Sequence, residues 1–126
     1  ENINPLAGIV PEGRGLLLIE NNDIYADDWE IKAINEFNKT LQLQPRRYAA
    51  RIALARLLVK QDNLDKAVTL LNDGVNYYYP IELPRLGEFY QYAVKLNLMK
   101  GDTIKAEEIQ IKLDEVKLYY KERAWE

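Results

Sequence analysis

The feature that most limits how this chain can fold is a two-helix cadence that returns along its length. "LARLLVKQDNLDKAVTLLNDG" (54–74) reads as the end of one helix, a tight turn and a second helix. The rhythm comes back in "NLMKGDTIKAEEI" (97–109) and more faintly in "DDWEIKAINEF" (27–37). Ala33 and Ala67 stand 67 − 33 = 34 residues apart in equivalent places; Phe37 then matches Leu71, and Thr40 matches Gly74. A two-helix unit cannot bury its apolar face alone, so such units stack on neighbours. No segment alternates with the period of a half-buried strand, and the expected class is all-α.

The coarse reading places five helices. One starts after Asp28, its expected cap, with Ile31, Ile34, Phe37 and Leu41 inward. The next runs from Pro45 to Lys60, with Tyr48, Ile52, Ala55, Leu58 and Val59 packing and Leu54 beside them. Asp62 and Asn63 are expected to cap a third, from Leu64 to Tyr77, with Leu64, Ala67, Val68, Leu71 and Val75 inward. "YYYPIELPRLG" (77–87) reads as a longer connection. A fourth helix runs from Pro84 to a left-handed stop at Gly101, and a fifth follows a cap at Asp102 or Thr103. Its stripe is Ala106, Ile109, Leu113, Val116 and Tyr120. Before these, two Pro and three Gly in residues 1–15 predict an irregular arm, and "GRG" (13–15) reads as a turn. The segment "LLLIENN" fits a short helix or an edge strand.

The period and the small residues resemble the tetratricopeptide repeat, most clearly over Tyr48–Pro80, where Leu54, Ala55, Ala67, Leu71 and Gly74 fit its pattern. The resemblance implies an α-hairpin solenoid of about five helices, with an irregular arm over 1–27 and a helical domain over 28–126, parts of one domain. Ala67 to Ala106 is 106 − 67 = 39 residues, so the third copy carries an insertion of five. There Val94 stands at the usual small position and Asn97 at an apolar one, and the first copy lacks a first helix before Asp28. A second set of residues is similar to the periplasmic C-terminal domain of bacterial O-antigen ligases, polymerases and pilin O-oligosaccharyltransferases. It comprises Asn4, Pro5, Leu6, Trp29, Asn35, Pro45, Tyr48, Leu54, Tyr79, Pro80, Leu83 and Pro84. In that family the chemistry lies in a membrane region. The resemblance therefore implies a periplasmic, non-catalytic appendage that recognises an acceptor such as pilin or assists assembly. The alternatives are a free-standing adaptor or chaperone of a secretion or pilus system, periplasmic or cytoplasmic, and a small glycoside-active enzyme.

Composition narrows the chemistry. The chain has no Cys, His or Ser, which removes Cys/His zinc sites and Ser–His or Cys–His nucleophiles. No catalytic residue, metal or cofactor is expected. Seventeen Lys and Arg against twenty Asp and Glu give a net charge of −3, which disfavours nucleic acid as the partner. Arg46, Arg47, Arg51 and Arg56 form one local basic patch. No apolar run is long enough to span a bilayer. The first residue is Glu1, and the expectation is a fragment or processed product whose parent holds any membrane segment.

Two binding surfaces follow. Tetratricopeptide arrays bind along their first helices, which by resemblance gives a groove of Ile52, Arg56, Val59 and Lys60 with Gln91, Lys95, Leu98 and Met99. Mixed cationic and apolar groups suit a peptide bearing carboxylates. Tyr77, Tyr78, Tyr79, Tyr90 and Tyr92 form the second candidate, an aromatic interface, with a plug of the long connection as the competing reading. Adjacent carboxylates such as Asp27 and Asp28, or Glu107 and Glu108, point in different directions on a helix and make no acid–base pair.

Overall fold

The computed structural model describes residues 8–20, 28–77 and 86–123. Among these residues there are six helices and no strand: α1 (Ile9–Glu20), α2 (Trp29–Leu43), α3 (Tyr48–Lys60), α4 (Leu64–Val75), α5 (Leu86–Lys100) and α6 (Thr103–Arg123). The all-α, tetratricopeptide-like expectation is met. Two compact units divide the chain at Asp62 and Asn63. In the first, α2 packs against both α1 and α3; in the second, α5 packs against both α4 and α6.

The irregular reading fails over residues 9–15, which are helical, while residues 16–20 take the helix alternative of "LLLIENN". Residues 1–7 and 21–27 lie outside the described residues. Pro11 sits in the first turn of α1, where its missing N–H removes no helical bond. Glu12 N–H donates to the Gly8 carbonyl at 3.1 Å and closes that turn. "GRG" is helical too. Gly15 is buried because the Phe37 ring of α2 lies against it; a Cβ there would stand 2.7 Å from Phe37 Cζ. The glycine is thus a contact surface for an aromatic ring, not a break in the chain.

On α2 the buried line is Ala33, Phe37 and Thr40, while Ile31, expected inward, is 60% exposed. Thr40 is tolerated in the core because its hydroxyl donates to the Glu36 carbonyl at 3.0 Å. Asp28 makes no side-chain cap; its carboxylate meets Lys32 at 3.5 Å instead. Pro45 does not open α3. It sits in a turn in which Arg47 N–H donates to the Gln44 carbonyl at 3.2 Å. Arg51 is buried at the start of α3, and its Nε and Nη2 donate to the Pro45 carbonyl at 3.0 and 2.9 Å. Arg47 bonds Glu12 of α1 at 3.3 Å. Two members of the expected basic patch therefore brace the α2–α3 corner.

In the second unit the expected inward face of α4 holds for Ala67, Val68, Leu71 and Val75, joined by Gly74, with Leu64 half-buried. Asn63 makes no side-chain cap, contrary to expectation. Between α5 and α6 the reading is met. Gly101 has φ +91°, its N–H donates to the Leu98 carbonyl at 3.0 Å, and Asp102 N–H donates to the Asn97 carbonyl at 2.9 Å. This is the Schellman pattern of two bonds that close a helix end. Asp102 Oδ1 then accepts the Lys105 N–H at 3.0 Å and caps α6. Ala106, Ile109, Leu113 and Val116 are buried as expected; the Tyr120 side chain lies outside the described residues.

Candidate functional site

The two halves of the expected groove fall in different units and are described separately. In the first, α3 carries Arg56 exposed, Val59 half-buried and Ile52 only 6% exposed. Ile52 is therefore corrected from groove wall to core, because its turn of α3 faces inward. Lys60 is exposed but engaged. Its ammonium lies 2.7 Å from a Glu30 carboxylate oxygen and 5.0 Å from the centre of the Trp29 ring. The Gln61 side-chain amide donates to the other Glu30 oxygen at 3.3 Å. Those contacts, Lys60 first and then Gln61, lower the Glu30 pKa from the ordinary glutamate range. Lys60 thus joins α2 to the end of α3.

In the second unit the other four residues lie on α5. Gln91 and Lys95 are exposed, and Leu98 and Met99 are each 53% exposed. Steps of four, three and one residues place Gln91, Lys95 and Leu98 on one line of α5 with Met99 beside it. Buried Leu86, Phe89, Ala93 and Leu96 hold the opposite side of α5 in the core and so fix the direction of that line. The small buried residue is Ala93, one position before the expected Val94, which is half-buried.

Asn97 explains its own presence at an apolar position. Its Nδ2 donates to Asn72 Oδ1 of α4 and to the Ala93 carbonyl, both at 2.8 Å; Asn72 Nδ2 returns a bond to Asn97 Oδ1 at 3.3 Å. Satisfied amides of this kind fix one alignment of two helices. Sequence reading flagged Asn97 as unusual but had no signal for Asn72, 97 − 72 = 25 residues away.

The aromatic candidate dissolves in part. Tyr90 is 0% exposed and packs edge-on against Phe89, at 5.7 Å between ring centres, so it is core and not an interface. Tyr92 is half-buried and Tyr77 is 41% exposed. Tyr78 and Tyr79 lie outside the described residues.

A cleft between α1 and α2 was not expected at all. It encloses about 370 Å³ and is lined by Arg14, Leu17, Leu18, Lys32, Asn35, Glu36 and Lys39. Lys39 reaches Glu36 Oε1 at 3.4 Å, and Glu36 Oε2 is buried without a hydrogen-bond partner. The sequence does not show it, because residues 9–15 carry no helical signal and nothing local pairs α1 with α2.

Helices that alternate as first and second members, with small buried residues at their contacts, define a tetratricopeptide-like all-α fold. The family model described as tetratricopeptide repeat matches residues 31–80, from α2 through α4 and beyond. Repeats of this kind commonly form protein-interaction surfaces, and residues 31–80 are similar to them. No curated protein matches the chain. No helix among the described residues is long and apolar enough to cross a membrane.

Proposed function

We propose that this chain is a non-catalytic docking segment and that the outer line of α5 receives an extended peptide bearing a carboxylate. The observation that carries the reading is the exposed set Gln91, Lys95, Leu98 and Met99 on a helix whose other side is packed. Lys95 supplies the cation, Gln91 an amide for the peptide backbone, and Leu98 and Met99 apolar contact at low cost in shape adjustment. The test is fluorescence anisotropy with apolar peptides that end in a free carboxylate or in an amide. Carboxylate peptides should bind, and Lys95→Glu should weaken them about tenfold with the circular dichroism unchanged. Equal binding of amidated peptides, or no effect of Lys95→Glu, overturns the assignment of this face. Glycan turnover by the chain alone overturns the non-catalytic reading.

In its finer form, the segment is the periplasmic C-terminal portion of a membrane O-antigen ligase or pilin O-oligosaccharyltransferase, where docking presents an acceptor protein such as pilin. The support is the resemblance at Trp29, Asn35, Pro45, Tyr48 and Leu54. Pro45 and Leu54 have structural parts here, as the acceptor for Arg51 and as a core residue. A gene encoding about ten apolar helices upstream of Glu1 meets this form. A signal peptide alone favours a free-standing periplasmic adaptor instead.

A further inference from the structure

We propose that the outer ridge of α6 is a second docking site, one that receives a basic amphipathic helix of a partner protein. Ile104, Ile111 and Leu118 are 73%, 61% and 57% exposed. They recur every seven residues, close to two helical turns, so they form one line that runs about 21 Å along α6. The buried set Ala106, Ile109, Leu113 and Val116 occupies the other side of the helix, so this line is not the fringe of the core face. Single exposed apolar residues are ordinary on a protein surface; three in register on one helix make a contact line.

Charge selects the occupant. Glu107 and Glu108 follow Ile104 by three and four residues, and Asp114 and Glu115 follow Ile111 in the same way. All four are exposed and share the face of the apolar line. Lys105, Lys112 and Lys121 stand at its borders, outside the carboxylates; Lys105 lies 3.4 Å from Glu108, and Gln110 donates to Asp114 at 3.0 Å. An apolar line flanked by carboxylates is complementary to a helix whose own apolar line is flanked by Lys or Arg. A second copy that offered the same ridge would set carboxylates against carboxylates. The acidic peptide proposed for α5 would meet the same repulsion, so the α6 ridge takes a different partner.

The probe is a synthetic helix about three heptads long, with leucine on one face and lysine on either side. Titrated against the whole chain, it should bind, gain helicity by circular dichroism, and bind more weakly as salt rises. Ile111→Glu should weaken it at least tenfold with the thermal midpoint unchanged, since Ile111 is exposed. The double variant Glu108→Lys, Glu115→Lys should exchange preference toward the matching peptide with glutamate in place of lysine. Three results overturn the proposal: a Kd weaker than about 1 mM for the lysine peptide, affinity indifferent to both variants, or self-association of the chain in sedimentation that Ile111→Glu abolishes. The last would assign the ridge to a second copy.

Discussion

The α5–α6 pair is joined by two residues that end one helix and begin the next, whereas the α1–α2 pair is set by a contact between residues far apart in sequence. In the first case Gly101 takes φ +91°, the two Schellman bonds form, and the Asp102 carboxylate caps α6. Every group in that device lies within nine residues, Asn97 to Lys105, so its consequence is written locally. In the second case Phe37 of α2 lies on Gly15 of α1, and Arg47 reaches back to Glu12. The small residue of α1 precedes Ala33 by 33 − 15 = 18 positions, against 67 − 55 = 12 between Ala55 and Ala67. Six extra residues hide the first helix from a search at fixed period. One pair teaches that a short turn dictates helix register. The other shows that a missing side chain can do so too, through what it lets in.

The largest expected effect tests the second mechanism. Gly15→Ala puts a methyl 2.7 Å from the Phe37 ring, which is fully buried, so the packing around it must shift. Unfolding in urea should show a loss of about 2 kcal/mol, against a gain if Gly15 only interrupts a helix. Next comes the local device. Gly101→Ala forces a side chain into left-handed backbone and should cost about 1–2 kcal/mol by thermal melting. Asp102→Ala removes a real cap and should cost about 1 kcal/mol in the same assay. Its counterpart at the start of α2 should differ. Asp28→Ala loses only an exposed pair with Lys32, at most about 0.5 kcal/mol, because Asp28 caps nothing. The smallest effect is optical. Glu30 has a lowered pKa, so its contact with Lys60 is complete above the ordinary glutamate range and is lost as pH falls through that lowered value. In a Trp125→Phe background, Trp29 emission should titrate in that acid window, and Glu30→Gln should abolish the change.

Much of the second unit was legible. The inward line of α4, the Gly101 stop, the Asp102 cap and the buried line of α6 all follow from periodicity and capping chemistry. The exposed α5 line was legible for the same reason. Less of the first unit could be read. Ile31 looked inward by spacing, yet Ala33, Phe37 and Thr40 took the core because α1 and α3 approach α2 on that side. Arg51 looked like a surface charge, yet it holds the Pro45 carbonyl. Tyr90 looked like an interface ring, yet it fills the core beside Phe89.

Taken alone, the sequence determined that this chain is helical, where several helices stop and start, and that Cys, His and Ser are missing from it. Those properties depend on groups within a few residues of one another, whose spacing is fixed by the helix itself. Only the tertiary structure decided that Gly15 receives Phe37, that Asn72 answers Asn97, and that Lys60 is held by Glu30. Each of those outcomes joins residues more than twenty positions apart, and only the packing of helices on one another brings them within reach.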